Sequence, residues 1–176
     1  MFNKIKQKLS GPLTECMYKY LMREAQYHLG RKPFGQEELK LLNEALVSQT
    51  LFGVDGKMVN TFEKEFAQTY SVPYAVASTS GTAAIHTALG VLDLNPGDEV
   101  ITAPITDLGT VIPILSLNAL PVFADVDNMY SMDPADVERK ITSRTRAIVV
   151  VHLFGNPCDM DAMLAIARKH NIPYMR

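Results

Sequence analysis

The chain has 176 residues, 47% of them hydrophobic and 20% charged, with a formal net charge of −2. That length can bury the core of one domain, and the lack of a basic excess excludes an electrostatic nucleic-acid surface. No apolar run approaches the roughly 20 residues that a bilayer crossing needs.

The basic opening, Met1 to Leu9, has no apolar stretch behind it and is not a secretory signal. Gly11-Pro12 interrupts it, and Leu13, Met17, Tyr20 and Leu21 then recur at helical spacing. Residues 1–32 therefore read as a helical accessory segment, with Lys4, Lys6 and Lys8 on a solvated face. A helix is expected over 36–49, with Leu39, Leu42 and Leu46 turned inward. A glycine-bearing loop follows at 51–57. Asn60-Thr-Phe-Glu63 has the form of a capping box opening a helix that runs to about Tyr70 and buries Phe62 and Phe66.

From Val72 the pattern becomes strand and helix in alternation. Apolar runs at 74–77, 100–103, 121–124 and 147–152 read as strands, and 82–92, 108–118, 134–141 and 159–170 as helices. Asn95-Pro-Gly-Asp98 punctuates one connection, and Asp133 before Pro134 is suited to cap a helix with proline at its first position. Apolar strands each followed by a helix predict a mostly parallel sheet covered on both faces. Residues 172–175 start a fifth apolar run, and ligands in such sheets sit beyond the carboxyl ends of the strands. A site residue is expected just past Arg176, so the chain reads as truncated. Cys16 and Cys158 match no disulfide or ligand spacing, which points to a reduced, cytoplasmic protein without a metal centre.

The strongest local signal is Ser78-Thr-Ser-Gly-Thr82, between a strand and a helix. Gly81 allows close backbone approach and a tight turn. The helix start offers unpaired N–H groups and the positive dipole end, and the hydroxyls of Ser80 and Thr82 add donors, so the loop suits a phosphate. A plain Ser/Thr-rich N-cap turn is the alternative. Neither Gly-x-Gly-x-x-Gly nor Gly-x-x-x-x-Gly-Lys-Ser/Thr occurs. Asp125 and Asp127 share a strand face, and turn formation is the reading preferred to a metal pair. Asp159 and Asp161 suit a helix start. His152 ends an apolar strand and reads as a hydrogen-bonded core residue.

An ordered series of motifs runs from Phe34 to Arg176. It includes Phe62-Glu-Lys-Glu-Phe66, Ala77-Ser-Thr-Ser-Gly-Thr-Ala83, Asn95-Pro-Gly-Asp-Glu-Val-Ile101 and Leu120-Pro-Val-Phe-Ala-Asp-Val-Asp127. It continues with Thr142-Ser-Arg-Thr-Arg-Ala-Ile148, Val151-His-Leu-Phe-Gly155 and Asp159-Met-Asp161. Together these resemble the DegT/DnrJ/EryC1/StrS family of pyridoxal-phosphate-dependent sugar aminotransferases, N-terminal part. The resemblance implies the large domain of a fold-type I transferase, and in the full-length form a homodimer with its sites at the subunit interface. It implies amino transfer from glutamate or glutamine to a keto sugar, nucleotide-linked, for polysaccharide or amino-sugar biosynthesis. It places the cofactor phosphate on Ser80, Gly81 and Thr82. Relatives often set an aromatic residue over the pyridine ring after the next strand. Pro104-Ile-Thr-Asp-Leu-Gly-Thr110 holds none, which leaves Thr106 and Asp107 to line the pocket, although either also suits a cap of the next helix.

Transamination needs a lysine joined to the cofactor and an acid on its ring nitrogen. The resemblance puts both beyond Arg176, so no catalytic residue is expected here and the chain alone is expected to be inactive. Lys140 and Lys169 read as solvent-facing, and Lys57 as a loop residue. Two other readings stand beside this one: a pyridoxamine-phosphate sugar dehydratase of the same family, with histidine replacing lysine, and a non-catalytic module that binds a phosphate ligand or serves assembly.

Overall fold

Alternating apolar runs have to find neighbours, and in the computed structural model most of them do. The structure describes residues 35–53 and 56–176, so the expected accessory segment 1–32 and its apolar stripe lie outside the described residues. Two compact units divide at Ala75 and Val76.

The first unit contributes two helices, α1 (Gln36–Ser48) and α2 (Lys57–Thr69). Glu38 in the first turn of α1 accepts from the Gly35 N–H at 2.5 Å, the half of a capping box that needs no N-cap side chain, and Gly35 itself makes no side-chain cap. Leu39, Leu42 and Leu46 are exposed, against expectation, as are Phe62 and Phe66 on α2. The two phenylalanine rings pack on each other with centroids 5.8 Å apart, and Phe66 meets Tyr70 at 4.4 Å. The expected start of α2 is also displaced. Asn60 is no N-cap: the helix begins after Gly56, and the Asn60 side-chain amide donates to the Gly56 carbonyl at 3.1 Å. A residue that caps by accepting an N–H can equally donate backwards by one turn once the helix has started earlier.

The second unit is a parallel sheet with the order β2-β1-β3-β4. Its elements in sequence are α3 (Gly81–Gly90), β1 (Glu99–Thr102), α4 (Leu108–Ser116), β2 (Leu120–Phe123), α5 (Pro134–Arg139), β3 (Thr145–Val149), a 3₁₀ turn (Leu153–Gly155), α6 (Met160–His170) and β4 (Tyr174–Met175). The period of two along the strands sorts the core into two layers. Ile101, Ile148 and Val150 pack with Val137, Met163 and Ile166 on the face covered by α5 and α6. Val100, Ala147 and Val149 pack with Leu89 and Ile114 on the face covered by α3 and α4. Asp107, Asp133 and Asp159 cap α4, α5 and α6, each accepting an N–H from the first turn.

The amino edge of the sheet is held by buried carboxylates. Glu99 accepts from the Thr142 hydroxyl at 2.5 Å and from Arg144 at 2.6 and 3.0 Å. The Thr142 bond chiefly, then Arg144, holds the Glu99 carboxyl below its ordinary range, against the opposing effect of burial. Residues 74–77, expected as a strand, are not in the sheet. Tyr74 is 87% exposed and Val76 81%. β-Propensity alone does not place a run in the sheet.

Candidate functional site

The strand order reverses direction once. From β1 the chain passes through α4 to β2 on one side, and from β3 through α6 to β4 on the other. The crevice at such a switch point, beyond the carboxyl ends of β1 and β3, is where an open α/β sheet offers a ligand site. Those two ends are tied by the buried Thr102 hydroxyl, which donates to the Val149 carbonyl at 3.0 Å.

α3 delivers the Ser80–Gly81–Thr82 turn to this region. Ser80 is the N-cap, and its Oγ accepts from the Ala83 N–H at 3.1 Å. Its carbonyl takes the Ala84 N–H at 2.9 Å, while the Ser78 hydroxyl donates to the same carbonyl at 3.0 Å. The N–H groups of Gly81 and Thr82 have no partner among the described residues, and neither has the Thr82 hydroxyl. No acidic residue occupies the first turn of this 10-residue helix. Unpaired N–H groups, two hydroxyls and a positive dipole end form a donor set that fits a phosphate. A Cβ placed on Gly81 would meet nothing within 4 Å, so the space over the turn is open. That revises the reason for the glycine: Gly81 has no positive φ and no neighbour to avoid, and what its missing side chain leaves is room for a ligand to approach.

The start of α4 lies against this turn, because α3 and α4 pack together. Asp107 is the N-cap of α4 and accepts from the Gly109 N–H at 2.7 Å. Thr106 pairs its hydroxyl with that of Thr110 at 2.9 Å. Gly109 is the residue that sequence reasoning missed. A Cβ there would fall 2.5 Å from Thr82 Oγ1 and 2.8 Å from Asp107 Oδ1. The structure thus joins Thr82 and Asp107 across Gly109. The only signal in the sequence was a glycine inside a helical pattern, where propensity disfavours it.

Beyond β3, His152 leads into the 3₁₀ turn, and its Nδ1 accepts from the Cys158 N–H at 3.2 Å. This fixes the proton of the neutral ring on Nε2. Phe154, at φ 52°, stands 98% exposed on that turn. Asp127 holds its own loop, accepting from Met129 at 2.7 Å and Ser131 at 3.0 Å. Lys140 is half-buried rather than on an open face: its ammonium donates to the Phe123 carbonyl at 2.5 Å and pairs with Asp136. Lys169 pairs with Glu138 at 2.6 Å. Among the described residues no helix is long and apolar enough to cross a membrane.

Known proteins resemble this chain in sequence and fold. The "Spore coat polysaccharide biosynthesis protein SpsC" of Bacillus subtilis (strain 168) is 45% identical over 139 residues, 78% of this chain and 35% of that protein. "GDP-perosamine synthase" of Escherichia coli O157:H7 is 39% identical over 137 residues, 77% of this chain and 37% of that one. The solved aminotransferase from Psychrobacter cryohalolentis superposes with a TM-score of 0.75 at 37% identity, over 81% of this chain and 36% of its own. The chain thus spans little more than a third of the length of these relatives. Residues 33–176 match the DegT/DnrJ/EryC1/StrS aminotransferase family, and the chain belongs to it.

Proposed function

We propose that this chain supplies the phosphate-holding part of a pyridoxal 5′-phosphate-dependent aminotransferase. Its full-length form, a homodimer, moves an amino group from glutamate or glutamine to a nucleotide-linked keto sugar for polysaccharide or amino-sugar biosynthesis. The observation that carries the reading is the turn at the start of α3, with its unpaired Gly81 and Thr82 N–H groups at the crevice of the sheet. The names of two relatives, a spore coat polysaccharide biosynthesis protein and a GDP-perosamine synthase, support the substrate class.

When bound, the cofactor supplies an electron sink for charge that develops on the substrate carbon. This chain's residues hold and orient it. The two N–H groups and the Ser80 and Thr82 hydroxyls take the phosphate oxygens. Thr106 and Asp107 line the same crevice from the start of α4. Lys140 and Lys169 are paired with Asp136 and Glu138. The family resemblance assigns the reactive amine and the acid for the ring nitrogen to the part of the relatives' length that this chain does not span.

The test is a titration of the full-length protein with pyridoxal phosphate and with pyridoxal, followed by amino transfer from glutamate to a nucleotide-linked keto sugar read by mass spectrometry. We expect the phosphate ester to bind at least tenfold more tightly, since hydrogen bonds to a charged group contribute about 1.5–3 kcal/mol each, and the aminated sugar to form. Equal affinity for the two compounds would sink the assignment of the turn. Tight binding without an aminated product would sink the reaction.

A further inference from the structure

The geometry of the phosphate turn is set by a residue outside it. We propose that Gly109, on α4, is a positioning residue: it leaves room for the Thr82 hydroxyl to face the ligand's phosphate. The proposal rests on the cofactor reading above and adds a residue outside the Ser80–Gly81–Thr82 turn.

The steric facts are specific to this glycine. A Cβ at 109 would stand 2.5 Å from Thr82 Oγ1, well inside van der Waals contact, but 3.6 Å from Thr82 Cβ, an ordinary packing distance. The obstruction is therefore the hydroxyl and not the rest of the threonine. Asp107 Oδ1, 2.8 Å from the same point and bonded to the Gly109 N–H, is a second and lesser crowding, and the closer contact is relieved when Thr82 moves. Thr82 is β-branched, with few χ1 wells, so relief means a whole rotamer change that carries the hydroxyl to another direction. That hydroxyl has no partner among the described residues, so in its present direction it is an available donor. Apart from the Thr82 and Asp107 contacts, nothing requires a glycine here. Gly109 has no positive φ, and alanine is the better residue in a helix.

The contrast with Gly81 sharpens the inference. Gly81 sits in the motif but meets nothing within 4 Å. Gly109 sits outside the motif and makes the tight contact. It is the glycine whose replacement disturbs the turn without touching the ligand.

The experiment uses the full-length protein in four forms: wild type, Gly109→Ala, Thr82→Ala and the double variant. Affinities are measured for pyridoxine 5′-phosphate and for pyridoxine, which bind without reacting, and melting temperatures are recorded alongside. Gly109→Ala should weaken the phosphate ester about tenfold, the loss of one hydrogen bond to a charged group, and leave pyridoxine unchanged. Thr82→Ala should do the same. The double variant should bind no more weakly than Thr82→Ala beyond what the Asp107 contact at 2.8 Å costs, because on the Thr82 side the added methyl then meets only the Cβ at 3.6 Å.

Wild-type affinity in Gly109→Ala, or a loss that adds in full to that of Thr82→Ala, overturns the proposal while the cofactor reading stands. A wild type that does not prefer the phosphate ester refutes the cofactor reading and removes both. If Gly109→Ala does not fold, a double variant that folds and binds like Thr82→Ala establishes the contact by rescue. Failure of both to fold overturns it.

Discussion

Asp136 is buried to 3% exposure beneath the sheet, yet its surroundings favour its charge. It accepts the Asp125 N–H at 2.6 Å and bonds Arg139 and Lys140. The Asp125 amide foremost, then Arg139, lowers its pKa from 3.8 to about 2 against the effect of burial. A carboxyl depressed in the folded state adds stability above its unfolded value, and that stability disappears as pH falls through the folded value. The melting temperature should therefore drop between about pH 4 and pH 2, and Asp136→Asn should flatten that part of the curve. The same substitution should cost about 1.5–3 kcal/mol at neutral pH, measured by denaturant unfolding. A separate case is Asp107, whose cap on α4 was legible in the sequence. Asp107→Ala should cost about 1 kcal/mol and Asp107→Asn far less, since both native and amide side chains accept the N–H. Equal losses would mean that the carboxylate's charge, not its cap, is what α4 uses.

At the scale of elements, helix starts were legible wherever a capping acid precedes an apolar periodic stretch. Asp133 and Asp159 lie where the pattern put them. Asn60 misled because its type fits both a cap and a first-turn back-bond, and only the path of the chain through Gly56 selects between them. The strands were found to within a few residues, since apolar runs between turns have few alternatives in an α/β pattern. Residues 74–77 share that composition and still lie outside the sheet. β1 is one of the two central strands, pairing with both β2 and β3. Ile101, fully buried on it, packs against the layer formed by α5 and α6. Ile101→Ala should cost about 2–5 kcal/mol through the cavity it leaves. A cost below 1 kcal/mol would show that the layer closes over the gap.

On the scale of the molecule, each unit leaves large apolar groups in solvent. Leu39, Leu42 and Leu46 do so in the first, and Val76 and Phe154 in the second. Exposed apolar surface of this extent is a site of association. The 176-residue chain should therefore take up a hydrophobic dye and sediment as a concentration-dependent mixture. Val76→Thr with Phe154→Ser should reduce both effects. A monomer that takes up no dye would show that these faces do not associate.

The family, the parallel α/β sheet and the Ser80–Gly81–Thr82 turn were determined by the sequence alone. Each rests on local information: hydrophobic period, capping chemistry, and short motifs in a fixed order. The tertiary structure decided which apolar runs joined the sheet, why Asp136 stays charged in the core, and what stands next to the turn. Gly81 looked like the glycine that mattered because it lies within the motif. Gly109 is 28 residues further along, and only the packing of α4 on α3 brings it against Thr82. A contact between helices depends on how two faces meet, and neither face alone records it.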